Sequence, residues 1–211
     1  LISHSINFIY MIWIVMLVNS IRSSVKSGSK NFPIFVGFMS AYDLLKIAVV
    51  PSFEIKTRDD EIADNMLKPP HNRWQRPEIS EKIEKIKNTF NQSGEFMPNP
   101  VLVSINATIH DPPVEITRVN EASGYYDIDI DDDKLKNVED SDKPLWIIDG
   151  QHRIKGLGAS NQKNNKIPVV FLLNDPDQED NYDGTVLAKI FAQVKTSATP
   201  LAKLHAEWLS Y

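Results

Sequence analysis

Pro144-Leu145-Trp146-Ile147-Ile148-Asp149-Gly150-Gln151-His152-Arg153 is the stretch around which the chain is organised. A short apolar run of strand length stops at an Asp-Gly break and passes into a segment able to start a helix. A strand that feeds a helix through a glycine leaves backbone N–H groups pointing outward, and His152 and Arg153 add donors and positive charge at the same spot. The local reading is a turn that holds an anion. Its bland counterpart is an Asp cap whose His and Arg neighbours make internal hydrogen bonds.

Downstream, residues 151–159 read as a helix and residues 160–166 as a polar turn. Residues 167–173 are continuously apolar, as in a strand buried on both faces. Residues 185–194 and 201–209 read as two closing helices, the second entered through Thr199-Pro200. Upstream, Tyr126, Ile128 and Ile130 alternate strictly with Asp127, Asp129 and Asp131, which predicts a half-buried strand. Residues 101–107 and 114–119 are two further strands. Pro77 is placed as the first residue of a helix, because its missing N–H costs nothing there. Ile79, Ile83, Ile86 and Phe90 follow at helical spacing with Glu and Lys on the other side.

Residues 57–70 are polar, end in Pro-Pro, and read as a loop with one helical turn at residues 61–67. Residues 32–38 and 44–50 are β-rich runs separated by a polar break at residues 40–43, a hairpin closed by Pro51. Residues 6–18 form an apolar run interrupted only by Asn7, shorter than the roughly 20 residues a spanning helix needs, and residues 1–5 lack the basic start of an export signal. No stable membrane insertion is expected. Residues 20–31, rich in serine, read as a linker. The domain division expected is therefore residues 1–31 as an apolar segment and linker, and residues 32–211 as the folded domain. Deleting residues 1–26 is expected to leave a folded protein.

With 211 residues, 42% apolar and 24% charged, the chain fits one globular domain better than two. It has no cysteine, which excludes disulfides, thiolate nucleophiles and Cys-ligated zinc. A net charge of -5, from 28 acidic and 23 basic residues, would repel a nucleic-acid backbone. Contact with DNA is then expected from a local basic patch, for which Arg73, Arg76, Lys82, Lys85 and Lys87 are the candidates, or from a part of the protein outside this sequence.

Several chemistries lack their motifs. Asp127, Asp129 and Asp131 have the D-x-D-x-D spacing of a calcium loop, but Asp132 stands where glycine is needed and Val138 where glutamate is. The five histidines are dispersed with no H-E-x-x-H pair, so no metal site is assigned. There is no G-x-S-x-G elbow, and Lys155-Gly156 reverses the Gly-Lys order of a P-loop. Asp149 and His152 remain the candidate catalytic pair for a nucleotide hydrolase or nuclease.

The pentapeptide Asp149-Gly150-Gln151-His152-Arg153 resembles the signature of the DGQHR-domain family. This group includes the DndB proteins of bacterial DNA phosphorothioation and is distantly ParB-like. Phe191-Ala192-Gln193-Val194-Lys195-Thr196-Ser197-Ala198-Thr199-Pro200-Leu201 looks like the family's F-x-x-x-N-T-x-x-x-x-L motif, with Lys195 in place of the common asparagine and no arginine following. Asn72-Arg73 resembles the Asn-Arg preceding the equivalent helix. The likeness spans residues 32–211, and it implies a domain shortened at its C-terminal end.

The resemblance implies an α/β (α+β) fold, a ParB/sulfiredoxin-like mixed sheet with flanking helices. By that similarity Gly150, Gln151, His152 and Arg153 hold nucleotide phosphate, with Arg153 suited to a bidentate contact. Lys195, Thr196 and Ser197 close the pocket from the other side, and Asp149 caps the helix and orients Arg153. Independently of the resemblance, Arg73 and Arg76 of the basic patch are the residues expected to meet DNA. The implied ligand is a nucleoside triphosphate with Mg2+, and the implied partners are DNA, DNA-modification proteins and further copies of the chain, in the bacterial cytoplasm. The function expected is that of a nucleotide-responsive regulator in DNA modification or defence. The alternatives are the Asp149/His152 hydrolase and a DNA-binding transcriptional repressor. Phosphate release separates the first alternative from the regulator, and a salt-dependent gel shift separates the second.

Overall fold

A computed structural model describes residues 15–51, 78–175 and 181–197, less residues 28, 93–96, 98, 121–122, 132–133, 136–137 and 140–141. Its elements in chain order are β1 (Val15–Ser27), β2 (Lys30–Ser40), α1 (Ala41–Ile47), β3 (Ala48–Val49), α2 (Ser80–Asn91), β4 (Val101–Ile105), β5 (Val114–Asn120), β6 (Tyr125–Asp131), β7 (Leu145–Asp149), α3 (Gln151–Gly158), β8 (Lys166–Leu172) and α4 (Gly184–Ser197). The fold is mixed α/β, as the sequence predicts.

Eight strands form one mixed sheet in the order β3-β7-β4-β8-β2-β1-β6-β5. β3 runs parallel to β7 and β4 parallel to β8, while the other neighbours are antiparallel. β7 lies between β3 and β4, and Leu145, Trp146, Ile147 and Ile148 are all buried, which explains its uninterrupted apolar run. Phe35, Val103, Ile128, Val169 and Phe171 have no exposed surface and form the centre of the core. Helix α3 packs against α1 and α2, and α4 packs against β7.

Two readings of the N-terminal third need correction. Residues 20–27 are not a linker: they belong to β1, which lies between β2 and β6. The serines are compatible with a central strand because the hydroxyl of buried Ser20 donates to the Tyr126 carbonyl oxygen at 3.0 Å, so it enters the interior satisfied. Residues 40–47 are not the turn and second arm of a hairpin. Ser40 is the N-cap of α1: its Oγ accepts the Asp43 N–H at 3.0 Å, and its hydroxyl donates to Asp43 Oδ2 at 2.6 Å. That reciprocal Ser-x-x-Asp arrangement starts a helix, and Leu44 and Ile47 bury its inner face.

The strand expected at residues 125–131 and the central strand of residues 145–149 have the observed bounds. The helix assigned to Ile83, Ile86 and Phe90 is α2, with Phe90 buried and Ile79 as its N-cap. Pro77, the helical turn at residues 61–67 and the closing helix of residues 201–209 lie outside the described residues. Among the described residues no helix is long and apolar enough to cross a membrane.

Candidate functional site

The site is built where β7 ends. Asp149 is its last residue, and Gly150 follows with φ 95° and ψ 11° as the N-cap of α3. This left-handed conformation is strained for a residue with a Cβ, and a Cβ at Gly150 would also sit 3.2 Å from Arg153 Nη2 and 3.3 Å from Val101 Cγ2. The Asp-Gly pair thus places the turn that the sequence predicts. The cap itself differs from expectation. Gly150, which has no side chain to accept a bond, occupies the N-cap position assigned to Asp149.

Asp149 instead holds Arg153 one helical turn later, with Arg153 Nη2 3.2 Å from Asp149 Oδ2. The same guanidinium donates to the Asn99 carbonyl oxygen at 3.0 Å and the Pro100 carbonyl oxygen at 3.3 Å. Arg153 therefore ties the start of β4 to the start of α3, and a phosphate contact by this group must exchange with those carbonyls. These partners left no trace in the sequence, because they are backbone oxygens some fifty positions upstream.

His152 is likewise engaged. Its Nε2 accepts the Ile79 N–H at 3.1 Å, which makes the imidazole an anchor for the uncapped start of α2. Lys155 pairs with Glu78 beside it. Gly156 completes the junction: a Cβ there would lie 2.5 Å from Ile86 Cγ2 and 3.1 Å from the Ile83 carbonyl oxygen, so α2 and α3 approach through its missing side chain. Gln151 stands apart from its neighbours, since among the described residues its buried Oε1 has no hydrogen-bond partner.

Lys195, Thr196 and Ser197 fall in the last turn of α4, whose Leu187 is fully buried. Its start is capped by Asp183, whose Oδ1 accepts the Val186 N–H at 2.7 Å. Arg73 and Arg76 lie outside the described residues. Lys82 and Lys85 are exposed on α2, whereas Lys87 is half-buried and pairs with Glu84 at 3.2 Å. Glu81 and Glu84 interrupt that basic surface.

Elsewhere, a cavity of about 350 Å³ between α1, β3, β7 and α3 is lined by Leu45, Val49, Ile147, Lys143, Lys155 and Ala159. Lys143 donates to the Leu45 carbonyl oxygen at 2.9 Å, and so satisfies an acceptor in the last turn of α1. On β6, burial pushes the Asp129 carboxyl above its ordinary range, and the charges of Asp127 and Glu115 add to this. Among the described residues no group of three or more His, Asp or Glu side chains is placed to share a metal ion.

No curated protein and no solved structure matches the chain significantly. Residues 47–197, from the end of α1 to the end of α4, match the DndB family, described as DNA-sulfur modification-associated. That span exceeds half of the chain and takes in the β7–α3 turn, Asn72-Arg73 and residues 191–197 of the Lys195 motif. The chain belongs to the DndB family of DNA-sulfur modification-associated proteins.

Proposed function

We propose that the protein is a nucleotide-responsive, DNA-associated regulator of a cytoplasmic DNA-sulfur modification system, with the β7–α3 turn as its phosphate-holding element. The observation that carries this reading is the start of α3 at a left-handed glycine N-cap, directly after the end of β7. The first-turn N–H groups of Gln151, His152 and Arg153 have no partner within the helix, and the helix dipole favours an anion there. Lys195, Thr196 and Ser197, on the helix that packs against β7, are the groups proposed to close over it.

The regulator reading is preferred to the hydrolase reading because both members of the candidate catalytic pair are already engaged. Asp149 holds Arg153, and the His152 Nε2 lone pair holds Ile79. A base needs that lone pair for substrate or water.

Calorimetric titration of the full chain with ATP, CTP and GTP, each with magnesium, tests the proposal. At least one nucleotide should bind. Lys195→Ala should weaken it by roughly ten- to a hundredfold, the loss of one charge-assisted contact of about 1.5–3 kcal/mol. Binding of none of the three overturns the nucleotide reading, and steady phosphate release would restore the hydrolase.

A further inference from the structure

The two faces of the sheet differ where β2, β1 and β6 lie side by side. On one face Phe35 and Ile128 are fully buried. On the other, the register sets Tyr125 opposite Ile21 and Ile21 opposite Val36, one apolar row across three strands, with 51%, 52% and 38% of these side chains exposed. Leu17 and Phe38, two or four positions along the same strands and thus on the same face, are 54% and 60% exposed. Among the described residues nothing covers this row. A contiguous apolar patch of this kind marks an interaction surface.

Carboxylates border the row. Leu17 lies opposite Asp129, which lies opposite Glu115 on β5, and Asp127 stands two residues along β6. Like charges directly opposite each other destabilise a sheet. Asn19 donates to Asp127 at 2.7 Å, but among the described residues no lysine or arginine pairs with Asp127, Asp129 or Glu115. An apolar centre with a charged rim is the anatomy of a protein interface.

We propose that this face docks a separate protein that brings apolar side chains bordered by lysine or arginine. DNA does not suit it, because phosphates would meet the carboxylates. A second copy joined face to face would bring the same acids against these. The rest of the chain has no excess of base to offer. Residues 1–14 contain no Lys, Arg, Asp or Glu, residues 52–77 contain five basic and five acidic residues, and residues 198–211 contain one of each. The inference is independent of the nucleotide reading.

The probes are two synthetic peptides of equal length, one alternating Leu with Lys and the other Leu with Glu, titrated into the full chain. The Leu/Lys peptide should bind and the Leu/Glu peptide should not. Ile21→Ser/Phe38→Ser should weaken binding at least about tenfold, and Asp127→Asn/Asp129→Asn should weaken it severalfold and flatten its salt dependence. Ile21 and Phe38 are exposed, and the Asn variants change charge with little change of shape, so both variants are expected to fold, the Asn pair with a melting temperature at or above the parent's, and this is checked first. Binding of neither peptide, equal binding of both, or unchanged affinity in both variants overturns the proposal. So does a concentration-dependent dimer, seen by sedimentation, that Ile21→Ser/Phe38→Ser abolishes, since the occupant would then be a second copy.

Discussion

The Nε2 of His152 accepts the backbone N–H of Ile79 at 3.1 Å, so a residue of the signature pentapeptide secures the first turn of a helix 73 positions upstream. His152→Ala should leave that N–H without a protein partner. We expect faster hydrogen exchange at Ile79 and a loss of about 0.5–1.5 kcal/mol in urea denaturation, the usual net worth of one hydrogen bond. Unchanged exchange at Ile79 would show that the contact does not order α2.

The two glycines of α3, Gly156 against α2 and Gly158 against α1, should differ in what they tolerate. Gly156→Ala drives its Cβ against Ile86 and the Ile83 backbone carbonyl, so α2 must move, at a cost of about 1–3 kcal/mol. At Gly158 the nearest atom is Leu45 Cδ1, the tip of a flexible side chain, and the loss should be smaller. Thermal melts of the two variants check the order, and a more stable Gly156→Ala would contradict this account of how α2 and α3 meet.

Removing residues 1–26 should abolish cooperative folding. β1 supplies both the partner of β2 and the partner of β6, and its Val18 is in the core. Among the described strands none but β1 joins the β5–β6 hairpin to the rest of the sheet. Circular dichroism during a thermal melt provides the check, and a sharp transition in the shortened chain would show that the sheet closes without β1.

What the sequence disclosed and what it concealed follow from the same chemistry. β7 and its turn were legible because an apolar run ending in Asp-Gly leaves few conformations open. β6 was legible because its alternation is strict. β1 was not: serines at 20, 23, 24 and 27 carry the composition of a linker, and only the contact between Ser20 and Tyr126 shows how a hydroxyl enters the sheet at little cost. The start of α1 did carry a signal, Ser40-Ala41-Tyr42-Asp43, but β-rich runs on either side outweighed it. At the site, the residue types were legible and their partners were not, since Arg153 and His152 are fixed by backbone groups that have no sequence signature.

Stability should carry an imprint of Asp129. Its carboxyl is held above its ordinary 3.8 by burial and by Asp127 and Glu115, so the folded state retains the proton more tightly than the unfolded chain. Ionisation therefore costs the folded state, and stability falls as pH rises through the folded value. Asp129→Asn should raise the melting temperature at pH 7, and the gain should vanish in acid well below 3.8, where the parent is protonated in both states. An equal gain at both pH values would assign the effect to packing.

DNA affinity with and without nucleotide tests the central claim most directly. An electrophoretic shift over a range of salt, run on the full chain with and without whichever of ATP, CTP or GTP binds, should show affinity that changes with the nucleotide in the parent. Arg153→Lys keeps the charge but cannot span Asp149, Asn99 and Pro100 together, so the nucleotide effect should shrink or disappear in that variant. DNA affinity identical with and without a bound nucleotide, at every salt concentration, would contradict the account.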